Sequence, residues 1–132
     1  MKISVDTNVL IRATVRDDEK QAQIADQILK SAETIAVTLP CLCEFVWVLR
    51  RRYELGREDI ATAIRALTDT KNVTVNRSAV EAGLAVLEAG GDFADGLIAY
   101  EGSWLGAELF VSFDKKAVTL LNRQGYESKL LS

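Results

Sequence analysis

Acidic side chains near the ends of predicted strands are the groups in this sequence best suited to chemistry. Asp6 follows the first predicted strand, Asp114 follows the fourth, and Glu44 lies in the first turn of the helix after the second. Asp92 and Asp95 begin the helix that leads into the fourth strand. Because ligands of an open parallel sheet bind beyond the carboxyl ends of its strands, we expect several of these carboxylates to meet at one edge of the sheet.

Each of the aspartates also has a structural explanation, because Asp is favoured at helix N-termini by capping and by the helix dipole. Glu44 stands between Leu42-Cys43 and Phe45-Val46, so we expect it to be buried, where a charge is costly unless it is paired or metal-bound. Asp95 is likewise bracketed by apolar residues. Carboxylates gathered without a counter-charge repel one another. An all-oxygen ligand set favours Mg²⁺, with Mn²⁺ as a substitute, over Zn²⁺.

The sequence contains no histidine, which excludes Ser-His and Cys-His catalytic arrangements and zinc sites with histidine ligands. Its only cysteines, Cys41 and Cys43, are too close for a usual disulfide and too few for a zinc site. We therefore expect two small, reduced, apolar side chains. Carboxylates with Mg²⁺ and no histidine suit metal-assisted displacement at phosphorus.

Length and composition predict one compact domain over residues 1–132. Hydrophobic residues make up 48% of the chain and charged residues 27%, with 8 Gly and 1 Pro, which excludes a disordered or linker-rich chain. No apolar run approaches the roughly 20 residues of a membrane helix, and the N-terminus reaches an acid too early for a signal peptide. We therefore expect a cytoplasmic protein with no membrane contact.

The net charge of −3 lacks the basic signature of a nucleic-acid-binding protein, so contacts with phosphates must be local. Lys115 and Lys116 adjoin Asp114, and Arg50 begins a run of three arginines. These are the candidate RNA-binding side chains. The alternative for the arginine run is a solvated helix face.

Short β-branched runs alternate with helical patterns, which predicts an α/β fold with a central parallel sheet of four to five strands and helices on both faces. The predicted strands cover residues 3–5, 35–38, 73–75, 109–112 and the tail from 126. The predicted helices cover residues 9–15, 19–32, from 42, 57–67, from a cap at Ser78, from Asp92 or Asp95 to about 105, and 115–123. Strands this short and apolar favour the buried centre of the sheet. The second helix repeats the spacing of one buried face at Ala25, Ile28, Leu29 and Ala32.

The helix from Leu42 to Tyr53 is apolar on more than one face, because Trp47 and Val48 stand beside its inward stripe. A helix in a small monomer seldom hides that much apolar surface, which suggests a partner. The alternative is that the helix packs between the sheet and the next helix.

Four segments, in order, resemble the PIN-domain ribonucleases and, among them, the VapC toxins of bacterial type II toxin–antitoxin modules. They are Val5-Asp6-Thr7-Asn8-Val9-Leu10, Glu44 at the start of its helix, Asp92-Phe93-Ala94-Asp95-Gly96-Leu97-Ile98-Ala99, and Val111-Ser112-Phe113-Asp114. The resemblance covers essentially the whole chain. It implies a PIN-like (flavodoxin-like) α/β/α sandwich and Mg²⁺-dependent endoribonuclease activity.

Carried over to this chain, the resemblance implies which residues act. The four acids that would catalyse the reaction and bind the metal fall on Asp6, Glu44, Asp95 and Asp114. Asp6 and Asp95 would be the principal ligands. The supporting positions fall on Asn8, Asp92 and Ser112. The chain departs from the pattern at Cys43, where Ser or Thr is frequent, and at Ser112, where Thr is common, and both departures keep the side chain small.

The resemblance also implies partners: an RNA substrate, a cognate VapB-like antitoxin that occupies the active site, and a homodimer or toxin–antitoxin hetero-oligomer. One alternative is a catalytically silent PIN domain that serves as a protein-binding module. Another is a receiver-like signalling domain, but that class needs an acceptor Asp after the third strand, where this chain has Asn76.

Overall fold

The computed structural model describes residues 1–132 and alternates strands with helices, so the predicted α/β class is confirmed. The strands are β1 (Lys2–Ser4), β2 (Thr34–Ala36), β3 (Val73–Thr74), β4 (Phe110–Ser112) and β5 (Ser128–Leu130). The helices are α1 (Thr7–Val15), α2 (Glu19–Ser31), α3 (Leu39–Arg51), α4 (Arg57–Thr68), α5 (Arg77–Glu88), α6 (Phe93–Trp104) and α7 (Lys115–Arg123). The chain falls into two compact units, Met1–Asn76 and Arg77–Ser132.

The first unit is a three-stranded parallel sheet with helices α1 to α4. Strand β2 is central, and Ile35 in β2 pairs with Ile3 in β1 and with Val73 in β3. Helices α3 and α4 turn their apolar stripes inward, as their spacing predicts. The fully buried side chains of these two helices include Leu42, Phe45, Leu49, Ile60 and Ile64. Because the strands run parallel, their carboxyl ends lie at one edge, where Asp6 follows β1.

The second unit contains a close helix pair, α5 with α6, and a two-stranded parallel sheet of β4 and β5 beside α7. Gly96 makes the close approach of the helices feasible, because a Cβ there would overlap the backbone carbonyl of Ala82 in α5. The core beside α7 contains Val86, Ala99, Leu120 and Leu121, with Phe110 and Tyr126 packed against it. Helix α6 is therefore held firmly by its neighbours on both α5 and α7.

Within each unit the paired strands are parallel, as the alternation predicts, and they form a three-stranded sheet in the first unit and a two-stranded sheet in the second. The sequence analysis predicts one central sheet of four to five strands. The strands are also less buried than predicted, since Val111 in β4 is 48% exposed. Successive residues of a strand point to opposite faces, so an apolar run of three residues does not require both faces to be covered.

Two details of the helices differ from the prediction. Helix α2 buries Ala22 and Ala25, whereas Ile28, predicted to face inward, is 47% exposed. The small alanine side chains face the neighbouring helix α1 and leave the larger isoleucine on the flank. Helix α5 begins at Arg77, so Ser78 lies in its first turn and is not its cap. None of the seven helices combines the length and the hydropathy that crossing a bilayer requires.

Candidate active site

Asp6 lies just after β1 and caps the N-terminus of α1. Its Oδ1 accepts a hydrogen bond from the backbone N–H of Thr7 at 2.7 Å. The residue is exposed, as is Asn8 in the first turn of the helix. Capping thus accounts for the position of Asp6, and the carboxylate remains accessible to a ligand.

The first turn of α3 lies beside Asp6. The buried hydroxyl of Thr7 donates a hydrogen bond to the Cys41 sulfur at 3.8 Å, which ties the start of α1 to the start of α3. Burial raises the pKa of the Cys41 thiol, and the negative charges of Asp6 and Glu44 raise it further, while the Thr7 hydrogen bond opposes them. Asp6 and Glu44 therefore act on the same thiol, so the first unit brings these two predicted site residues together.

Glu44 corrects the sequence-based expectation of burial. The residue is exposed, on the face of α3 opposite the buried Leu42 and Phe45. The sequence argument assumed that apolar neighbours along the chain surround the carboxylate in space. Around a helix, neighbours in sequence point in different directions, so Glu44 carries no burial cost and does not by itself require a metal. Neither cysteine of this helix forms a disulfide, as expected.

An open groove of about 740 Å³ leads from Asp6 along α1 and α2. Its wall includes Asn8, Arg12 and the exposed side chains of Ile24 and Ile28. Sequence reasoning did not find Arg12 or Ile24 as lining residues. The available signal was the i, i+4 pair of isoleucines on the flank of α2, beside the alanines that are buried.

Asp95 is the acid of the second unit whose pKa is shifted from its usual value. Asp92 is the N-cap residue of α6, and Asp95 is the third residue of that helix, half-buried. Burial raises the pKa of the Asp95 carboxyl above its usual range, and the charges of Asp92 and Asp114 raise it further. Asp92 and Asp114 of the second unit are therefore near enough to Asp95 for their charges to disfavour its ionised form.

Asp114 caps α7 and is held by Ser112. Its Oδ1 accepts hydrogen bonds from the backbone N–H groups of Lys116 at 2.9 Å and Ala117 at 3.2 Å. The hydroxyl oxygen of Ser112 in turn accepts a hydrogen bond from the Asp114 N–H at 2.9 Å. Ser112 thus supports the loop that presents Asp114.

The PIN domain family matches residues 3–120 of this sequence. The chain belongs to the PIN domain family. The fold is accordingly of the nuclease type, which agrees with the PIN-like α/β/α class that the motifs predict. No curated protein matches the sequence.

The acids of this PIN domain suit a divalent cation in their chemistry. All are carboxylates, the donors that Mg²⁺ prefers, and a cation beside Asp95 would relieve the repulsion that raises its pKa. In neither unit do three or more cysteine, aspartate or glutamate side chains come close enough to hold a metal ion. The metal-binding role of the four acids therefore stays a prediction.

The three candidate RNA-binding residues, Lys115, Lys116 and Arg50, differ in their exposure to solvent. Lys115 and Lys116 are exposed in the first turn of α7, directly after Asp114. The Lys116 ammonium lies 4.0 Å from where a Cβ on Gly90 would be, in the loop before α6. Arg50 is half-buried and has an interaction partner. The two lysines are therefore better placed than Arg50 to meet a phosphate near the acids of their unit.

Proposed function

We propose that this PIN domain is a Mg²⁺-dependent endoribonuclease that acts as the toxin of a type II, VapBC-like toxin–antitoxin system. The observation that carries the proposal is the PIN family match over residues 3–120. Within that fold, burial and the charges of Asp92 and Asp114 raise the pKa of the half-buried Asp95 carboxyl. Perturbed carboxylates of this kind are typical of functional sites. In a chain without histidine, carboxylates with a bound cation are well suited to phosphodiester hydrolysis.

In this proposal the metal-binding residues are Asp6 and Glu44 in the first unit and Asp95 and Asp114 in the second, and Mn²⁺ substitutes for Mg²⁺. When bound, the cation neutralises charge on the scissile phosphate and favours ionisation of the attacking water. Ser112 holds the Asp114 loop through its hydrogen bond to the backbone. Asn8 and Asp92 lie in the first turn of α1 and at the N-cap of α6, where they support the ligands beside them. Lys115 and Lys116 contact the RNA backbone.

The decisive experiment is cleavage of a mixture of tRNA and rRNA by purified protein in Mg²⁺, Mn²⁺ or EDTA. We expect discrete products only with metal, and a loss of at least about 100-fold in Asp6→Asn and Asp95→Asn, because each variant removes a metal ligand. Asp59→Asn and Glu101→Gln are matched controls. Both alter exposed acids, in the first turn of α4 and late in α6, and should cleave as the wild type does.

Cleavage that persists in both Asp6→Asn and Asp95→Asn would show that the site is wrongly assigned. Cleavage that needs no metal would contradict the cofactor. If the wild type produces no cleavage with either metal, the alternative of a silent PIN domain that binds a protein partner replaces the nuclease.

The toxin role requires partners, and exposed apolar side chains support this part of the proposal. In the second unit they are Ile98, Trp104, Leu105, Leu109, Val111, Phe113 and Leu130. Patches of this kind mark protein interaction sites. We propose a VapB-like antitoxin and a second copy of the chain as the occupants, with the toxin acting in the cytoplasm.

Expression of the wild-type chain alone in bacteria tests the toxin role. We expect growth arrest, and normal growth with Asp6→Asn expressed to the same level. Normal growth with a wild-type protein that cleaves RNA in vitro would leave the nuclease in place and reject the toxin.

A further inference from the structure

Trp47 is an exposed aromatic side chain in the middle of α3, and the proposed chemistry does not use it. The residue is 57% exposed, although Val46 and Leu49 on the same helix are buried. The guanidinium carbon of Arg51 lies 5.9 Å from the centre of the indole ring, within the range of a cation–π interaction. An exposed ring with a cation on one face still offers its remaining surface to a ligand.

The helix geometry directs this pair of side chains toward Glu44. Residues three and four apart share a helix face, so Glu44, Trp47 and Arg51 form one exposed row on α3. Side chains of a helix lean toward its N-terminus, which is why Arg51 reaches back over Trp47. By the same rule the indole leans toward Glu44, about 4.5 Å back along the axis. The start of α3 also lies beside Asp6, as the Thr7–Cys41 hydrogen bond requires.

The surroundings of Trp47 are charged rather than apolar. Its exposed neighbours along the row are Glu44 and Arg51, and Arg52 is exposed one residue beyond the helix. Neither Arg51 nor Arg52 takes part in a salt bridge. In a chain of net charge −3, this end of α3 is a local concentration of positive charge. Positive charge beside an exposed aromatic ring suits a ligand that carries both a base and a phosphate.

We propose that Trp47 and Arg51 form a subsite for one nucleotide of single-stranded RNA, beside the acids of the first unit. The base stacks on the open face of Trp47, and Arg51 contacts the adjoining phosphate. Stacking on aromatic rings is the usual way in which proteins hold unpaired bases, and it needs no particular base. The subsite rests on the proposed ribonuclease function and specifies its substrate as RNA with an unpaired base near the cut.

The first experiment measures binding directly through the fluorescence of Trp47. Trp104→Phe leaves Trp47 as the only tryptophan, and Asp6→Asn prevents cleavage in Mg²⁺. An eight-nucleotide oligouridine should quench the remaining tryptophan saturably, whereas an abasic oligomer of the same length and charge should not. The matched control carries Trp47→Phe in place of Trp104→Phe, so that only Trp104 reports, and it should show no quenching. An equal response of the two single-tryptophan proteins would overturn the proposal.

The second experiment separates stacking from a structural or protein-binding role, in an otherwise wild-type chain. We expect Trp47→Leu to weaken RNA binding roughly 5- to 150-fold, through KM more than kcat, and Trp47→Phe to restore most of it. Arg51→Gln should reduce the dependence of log Kd on log salt by about 0.7, the share of one single-strand phosphate contact. Lys71→Gln removes another exposed cation of the first unit and should change neither quantity.

The outcomes distinguish this subsite from the nuclease itself. Quenching of Trp47 by oligouridine with no cleavage by the wild type would support the subsite and reject the proposed nuclease. Normal cleavage kinetics in Trp47→Leu would reject the subsite and leave the nuclease intact. A change of oligomeric mass in Trp47→Leu, with unchanged RNA binding, would also reject it and would assign the ring to a protein interface.

Discussion

Glu44 in α3 and Asp95 in α6 occupy similar sequence contexts but different environments. Each lies in the first part of a helix and is bracketed by apolar residues. The structure exposes Glu44, whereas Asp95 is half-buried and has a raised pKa. Apolar neighbours in the sequence therefore do not predict whether an acid on a helix is buried. The burial of such an acid depends on how closely a neighbouring helix or strand approaches its face of the helix.

Glycine accounts for much of the difference between the two helices. Gly96 directly follows Asp95 and lies against the backbone of Ala82 and Gly83, so α5 comes into contact with α6 one residue away from the acid. Helix α3 contains no glycine, and the row that carries Glu44 continues with the bulky Trp47 and Arg51. The acid of α6 is held among close neighbours, and the acid of α3 is presented to solvent.

The largest expected effect comes from replacing the aspartates that cap α7 and α2, Asp114 and Asp18, by serine. These substitutions separate capping from catalysis. Serine caps a helix about as well as aspartate, so Asp114→Ser should keep the stability within about 0.5 kcal/mol while removing the carboxylate. We expect cleavage to fall at least about 100-fold, as measured by initial rates on a fixed RNA. Asp18 caps α2 through the Gln21 N–H at 3.0 Å, and Asp18→Ser should change neither stability nor cleavage.

If Asp114→Ser cleaves normally, Asp114 is a cap and nothing more, and the acidic group of the second unit loses a member. If the variant unfolds, Asp114→Asn repeats the test with a side chain that retains a capping oxygen.

If Gly96 allows α5 to pack closely on α6, then Gly→Ala substitutions should have opposite effects on stability at two positions of α6. Gly96→Ala would force a Cβ into the Ala82 backbone, so we expect a loss of about 1–3 kcal/mol in the free energy of unfolding. At Gly102 the added Cβ would make an ordinary contact with Ala107 at 3.9 Å, and the helix would gain about 0.5–1 kcal/mol. Urea denaturation of both variants measures this contrast. Equal stabilities would show that close packing of α5 on α6 does not position Asp95.

Much of the fold follows from the sequence because helix periodicity and capping are local. The pattern predicts α7 over its observed length, a helix start at Asp92 or Asp95, of which Asp92 is the observed N-cap, and the buried stripe of α3. The division of the strands into two sheets is not local, since strands of two or three residues carry too few side chains to specify their partners. The same holds for Ile28, whose burial depends on how near α2 approaches α1.

Motifs in the sequence point to candidate acids, but they do not predict the environments of those acids. Asp6 and Asp114 are indicated by their positions directly after predicted strands. Asp95 is indicated by its segment, which resembles the PIN-domain ribonucleases. The exposure of Glu44 depends on which face α3 presents, and the pKa of Asp95 depends on Asp92 and Asp114 folding next to it. The sequence shows the i, i+4 spacing of Trp47 and Arg51, but only the structure shows that the two side chains lie together on an exposed row.

The smallest expected effect is the pH dependence of stability that distinguishes Asp95 from Glu44. Because the pKa of Asp95 is raised in the folded state, its contribution is fully present below the pKa of the unfolded chain and is lost as the pH rises through the folded pKa. Asp95→Asn should therefore match the wild type near pH 3 and exceed it at pH 7, by about 1–3 °C in Tm. Glu44→Gln removes the same charge from an exposed position and should leave the difference near zero at both pH values.

Mg²⁺ should reverse the order of Asp95→Asn and the wild type. A cation bound by Asp95 stabilises only the folded chain, so the wild type should gain more in Tm than the variant does. EDTA should restore the original order. If Asp95→Asn and the wild type gain equally from Mg²⁺, Asp95 does not bind the cation. The raised pKa would then reflect only burial and the neighbouring charges of Asp92 and Asp114.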